Sequence, residues 1–123
     1  MSFAIVLGMS QRAARIIKNQ SPVRAPAVVE RLEQARRRRA KGEGRRAMIL
    51  MREACCMAPE DAVLWTLYAV QCWRMNRRDD ARTALRQALW LREQSGDTRR
   101  AHVLRALLLG MESACAQQAV HAA

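Results

Sequence analysis

Four cysteines, two histidines and one Asp-Asp pair are the side chains here that could do chemistry. Cys55 and Cys56 are adjacent, and Cys72 and Cys115 stand alone, so no CxxC pair is formed. A bridge between neighbouring cysteines closes a strained ring, and small hydrophobic packing is the simpler use of these thiols. A zinc site would need His102 or His121 at irregular spacing, so no metal is expected. Neither histidine stands in a Ser-Asp or Cys-Asn arrangement that would activate a nucleophile. The stretch "KGEGRR", residues 41–46, lacks the Lys-Ser/Thr of a phosphate-binding loop. Asp79 and Asp80 sit where a helix should begin, and carboxylates there meet free backbone N–H groups. The expectation is a protein that is not an enzyme and has no cofactor.

The remaining functional chemistry is charge. The chain has 22 basic and 11 acidic residues among 123, a formal charge of +11. Residues 1–59 hold 13 basic and 4 acidic residues, so the excess is concentrated in the first half. Such a field favours acidic partners: peptide, nucleic acid or anionic lipid. Arginine supplies 20 of the cations, and its planar fork suits carboxylate and phosphate. That bias also matches plain composition.

The elements that carry these residues are helical. Half of the chain is hydrophobic but only 4% is aromatic, a mixture rich in Ala and Leu that suits packed helices better than sheets. Periodicity and stop signals predict helices over about 27–41, 45–57, 60–75 and 78–94. Gly96 ends the last of these, and Asp97 or Thr98 caps a fifth helix to about 117. On it Leu104, Leu107, Leu108, Met111 and Cys115 form one apolar face expected to close the stack. In "RRRRAKGEGRR", Arg36 to Arg39 finish a helix, "KGEG" turns the chain, and Arg45 and Arg46 begin the next helix. The run is read as folded surface.

Residues 3–19 predict a further helix with Phe3, Val6, Leu7, Ala14 and Ile17 on one face. "NQSPVRAP" behind it reads as a linker. The opening "MSFAIVLGM" has no basic flank and is too short to be a signal or a span, so a cytoplasmic location is expected and a membrane role is not.

A shift of 34 residues superposes one part of the chain on the next. Ala47 meets Ala81, Met51 meets Leu85, Ala54 meets Ala88, Ala35 meets Ala69, and Gly42 meets Asn76. Trp65, Tyr68, Ala69, Cys72, Ala81, Leu85 and Ala88 stand at the signature places of a helix-turn-helix repeat, and Pro59 closes the unit before. The chain therefore resembles the tetratricopeptide repeat (TPR) family, of the small bacterial type. The resemblance is carried by residues 42–95. In the helix before them Arg31, Gln34 and Arg38 replace the bulky residues of the pattern.

The resemblance implies an all-α fold: antiparallel helix pairs stacked as a short right-handed solenoid with a C-terminal capping helix. Its divisions would be an N-terminal helix and linker (1–26), a first repeat (27–61), a second repeat (62–95), the capping helix (96–117) and a tail (118–123). It also implies a concave groove lined by the first helix of each unit. Carried over by position, the lining is Val29, Leu32, Arg36 and Arg39, then Val63, Thr66, Val70, Trp73 and Arg74, then Arg100 and Leu104. Family members that grip a C-terminal carboxylate use Lys and Asn. Here Leu32, Arg36, Leu67, Asp97 and Ala101 occupy those places, so that mode is not expected.

The function so implied is a protein-binding adaptor or small chaperone that holds an acidic or amphipathic segment of another protein. The alternative is a nucleic-acid-binding accessory protein using the basic first half. No helix-turn-helix DNA-reading pattern and few interleaved aromatics support it. Two units and a closing helix are few for an independent stack, so a homodimer or a partner-supported fold is also expected.

Overall fold

Gly42, Asn76 and Gly96 take the left-handed backbone, with φ of 79°, 60° and 73°, and each stops a helix. The computed structural model describes residues 23–122. Within them are α1 (Pro26–Ala40), α2 (Gly44–Met57), α3 (Ala62–Arg74), α4 (Arg78–Gln94) and α5 (Thr98–Ala122), and no strand. The fold is all-α. The three left-handed residues close the same pair of hydrogen bonds. Glu43 N–H donates to the Arg38 carbonyl at 2.9 Å and Gly42 N–H to Arg39 at 3.0 Å. Arg77 to Cys72 (2.8 Å) with Asn76 to Trp73 (3.1 Å), and Asp97 to Arg92 (2.9 Å) with Gly96 to Glu93 (3.1 Å), repeat the pattern. This double closure satisfies carbonyls that a helix end otherwise leaves without partners.

The turn between α2 and α3 has a different construction. Asp61, with φ −88° and ψ 101°, is extended, and its side chain accepts a hydrogen bond from Val63 N–H at 3.1 Å. That makes Asp61 the N-cap, so α3 begins at Ala62 and not at residue 60 as the pattern predicted. A second departure lies at the other end. α5 runs through Ala122, so residues 118–122 extend the helix where a tail was expected. The N-terminal helix expected over residues 3–19 lies outside the described residues.

Side-chain pairs give the helix directions. Arg31 meets Glu53 at 2.8 Å and Arg38 meets Glu43 at 2.9 Å, so α1 and α2 run antiparallel. Gln71 Nε2 donates to the Gly44 carbonyl at 3.0 Å, joining the end of α3 to the start of α2. Arg86 with Glu112 and Arg105 with Glu93, both at 2.8 Å, fix α5 antiparallel to α4. Among the described residues, close backbone approach is confined to helices consecutive in the chain.

The core explains the close approach. Ala35, Ala47, Ala54, Ala69, Ala81 and Ala88 are all 0% exposed, and they form three of the pairs related by 34 residues. A side chain of one carbon lets neighbouring helix axes come near. Leu64, Leu85, Val28, Cys55 and Cys72 fill the spaces between, and Tyr68 packs edge-on to Trp65 at 6.4 Å. Trp65 donates its indole N–H to the Pro59 carbonyl at 2.8 Å, which ties the α2–α3 turn to α3. No helix among the described residues is long and apolar enough to cross a membrane.

Candidate functional site

Helix α3 buries Leu64, Tyr68, Gln71 and Cys72, which leaves Val63, Thr66, Leu67 and Val70 on another side. Those four follow the i, i+3, i+4, i+7 spacing of a single helix face. The same spacing recurs as Val29, Leu32, Glu33 and Arg36 on α1, and as Arg100, Val103, Leu104 and Leu107 on α5. Two cavities lie along these faces. One, of about 290 Å³, is lined by α1 residues including Leu32, Arg36 and Arg39, with Arg24, Met51 and Leu67. The other, of about 270 Å³, lies between α3 and α5 and is lined by Val63, Thr66, Leu67, Val103, Leu104 and Leu107, with Arg92 and Arg100. Leu67, 42% exposed, belongs to both.

The cations of the two cavities differ in state. Arg92 and Arg100 both approach the Asp97 carboxylate, at 3.6 and 3.4 Å, which offsets charge at the α5 end. Arg24 is held by buried Asp61 at 2.9 Å. Arg36 and Arg39 make no ion pair among the described residues, so the α1 end has the available positive charge. Thr66 donates its hydroxyl to the Ala62 carbonyl at 2.8 Å. Its polarity is thereby satisfied within α3, and the α3–α5 cavity remains largely apolar.

Of the lining expected from the sequence, Val29, Leu32, Arg36 and Arg39 line the first cavity, and Val63, Thr66, Arg100 and Leu104 the second. Val70 is exposed on the same face of α3 but lines neither. Trp73 and Arg74 also line neither. The Arg78 guanidinium lies 3.6 Å from the Trp73 ring centroid, a cation–π contact with α4. The sequence reading missed Leu67 and Val103 as lining residues. Both follow from helical spacing, Leu67 four residues after Val63 and Val103 three after Arg100. Leu107 was placed on the face closing the stack, yet it is 46% exposed and opens to the cavity. Leu104, Leu108 and Met111 are the α5 residues packed with the core, and Ala101 is buried.

The thiols are free. Cys55 and Cys72 are buried and Cys56 is exposed. Among the described residues no group of three or more His, Cys, Asp or Glu is placed to hold a metal. Burial pushes the Cys55 thiol from its ordinary 9.0 up to about 12, and the Tyr68 hydroxyl from 10.0 up to about 12. The folded chain thus keeps protons that the unfolded chain releases at lower pH, and this stability is lost as pH rises. The melting midpoint should be level up to about pH 9 and fall between about 9 and 12, with a smaller fall in Cys55→Ala. A midpoint that climbs through that window would contradict the burial of these groups.

No protein-family model, curated protein or solved structure matches this chain.

Proposed function

We propose that this chain is a non-enzymatic protein-binding adaptor or small chaperone of the tetratricopeptide kind. In this reading α1–α2 and α3–α4 are two antiparallel repeats stacked as a right-handed solenoid, and α5 caps them. The carrying observation is that the four-position faces of α1 and α5, and Val63, Thr66 and Leu67 of the matching face of α3, line two cavities that share Leu67. The occupant would be an amphipathic segment of another protein. Its apolar side lies along Val63, Leu67, Val103 and Leu107, and its acidic residues lie over Arg36 and Arg39. Apolar contact supplies most of the affinity, while the cations set orientation and association rate.

Val103→Glu with Leu107→Glu tests this reading. Both side chains are more than two-fifths exposed, so the helical signal and melting should change little. Burying an unpaired carboxylate against the partner should lower its capture from lysate by at least about tenfold. Capture by the unaltered chain should survive high salt, since the floor is apolar. A folded double variant that retains its partners in full would exclude the α3–α5 cavity.

A further inference from the structure

Away from the α1–α3–α5 face, the end of α1 and the start of α2 enclose a cleft of about 570 Å³. Arg37, Arg38, Lys41 and Arg46 line it over Ile49 and Leu50. Among the described residues no carboxylate is part of the lining. Arg37 reaches Glu33 at 3.4 Å and Arg38 reaches Glu43 at 2.9 Å, but both are surface pairs of the weakly held kind. Each guanidinium has five N–H donors, so one such contact leaves most of them free. Lys41 and Arg46 make no ion pair among the described residues. Four cations line one opening, and of the carboxylates only Glu33 and Glu43 pair with them among the described residues, a concentration of positive potential that an entering polyanion would relieve.

We propose that this cleft binds the phosphodiester backbone of single-stranded nucleic acid. A strand has one charge per nucleotide on a flexible chain, so successive phosphates can meet successive cations inside a cleft. Guanidinium forks match phosphate oxygens in pairs. Ile49, 49% exposed, and Leu50 offer an apolar floor for sugars and base faces. A duplex holds its phosphates on a rigid convex surface and fits a recess less well. Among the described residues no aromatic side chain lines the cleft, so the lining offers no stacking platform for bases. Binding is therefore sequence-neutral and strongly dependent on salt.

Fluorescence anisotropy of a labelled oligothymidylate with the full chain tests the proposal. The logarithm of affinity should fall with that of salt at a slope of about −2 to −3, the counterions released by three or four neutralised phosphates. Arg46→Glu should weaken binding about tenfold. Arg99→Glu makes the same change of charge on exposed α5 and should leave affinity within about twofold. Arg46 occupies the first turn of α2, where an acidic residue favours the helix, so its variant should fold. The proposal is overturned by no binding at low salt, by equal loss in Arg99→Glu, or by a duplex that binds as tightly as the strand. It is also overturned if vesicles containing phosphatidylserine retain the protein while the oligonucleotide does not bind.

Discussion

Leu85→Ala should reduce the free energy of unfolding by about 2–5 kcal/mol, read from urea denaturation at an unchanged slope. Leu85 is 0% exposed in α4, flanked along its helix by Ala81 and Ala88, also at 0%. Those alanines bring neighbouring helices close, so Leu85 is a large side chain gripped between backbones with little freedom to collapse. Truncation therefore removes apolar burial and leaves a void that small, helical neighbours cannot refill. Ala81→Leu tests the converse. Three added carbons at a position without space force helices apart, and about 1–3 kcal/mol should be lost. A loss below about 1 kcal/mol for Leu85→Ala would mean that the alanine-lined contacts are looser than described.

Asp61→Ala should be nearly as damaging, by about 2–4 kcal/mol. Asp61 is 4% exposed and does two things: it caps α3 through Val63 N–H and holds Arg24 at 2.9 Å. Removing it exposes an unpaired helix N–H and leaves the Arg24 guanidinium, only 21% exposed, without its partner. Asp61→Asn separates the two effects, because an amide oxygen still caps the helix while the charge is gone. The Asn variant should recover about 1 kcal/mol of the loss. If both substitutions cost the same, the cap contributes nothing and the ion pair is the whole effect.

Much of the framework was legible because its signals are local. The alanines at positions 47, 54, 81 and 88 and the residues Gly42, Asn76 and Gly96 mark close packing and turns in the sequence itself. Each is selected by a backbone demand that few other residues meet. The start of α3 was misplaced because Glu60 and Asp61 both suit a helix entrance, and only the Asp61–Val63 hydrogen bond decides between them. The length of α5 was underestimated because its apolar pattern fades after Cys115. The Ala- and Gln-rich residues beyond still favour helix and carry no stop signal.

The candidate sites were legible by face and not by state. Repeat spacing pointed to Val63, Thr66 and Arg100, but not to Arg100 being held by Asp97 while Arg36 makes no ion pair among the described residues. Trp73 and Arg74 fell on the expected side by position, yet they line neither cavity, and Trp73 is paired with Arg78. Nothing in the order of residues showed that Arg37, Arg38 and Arg46 converge on one cleft. That follows from the antiparallel return of α2 on α1 through the Gly42 turn.

A photo-crosslinking side chain placed at position 67 and, separately, at position 86 is the most direct test of partner binding on the α1–α3–α5 face. Leu67 lines both cavities, whereas Arg86 is exposed beside α5 and bonded to Glu112 at 2.8 Å. Irradiation in native lysate should give discrete protein adducts from position 67, competed away by excess unlabelled chain, and none from position 86. Discrete, competed adducts at position 86 with none at 67 would contradict the account and move partner binding to the α4–α5 side.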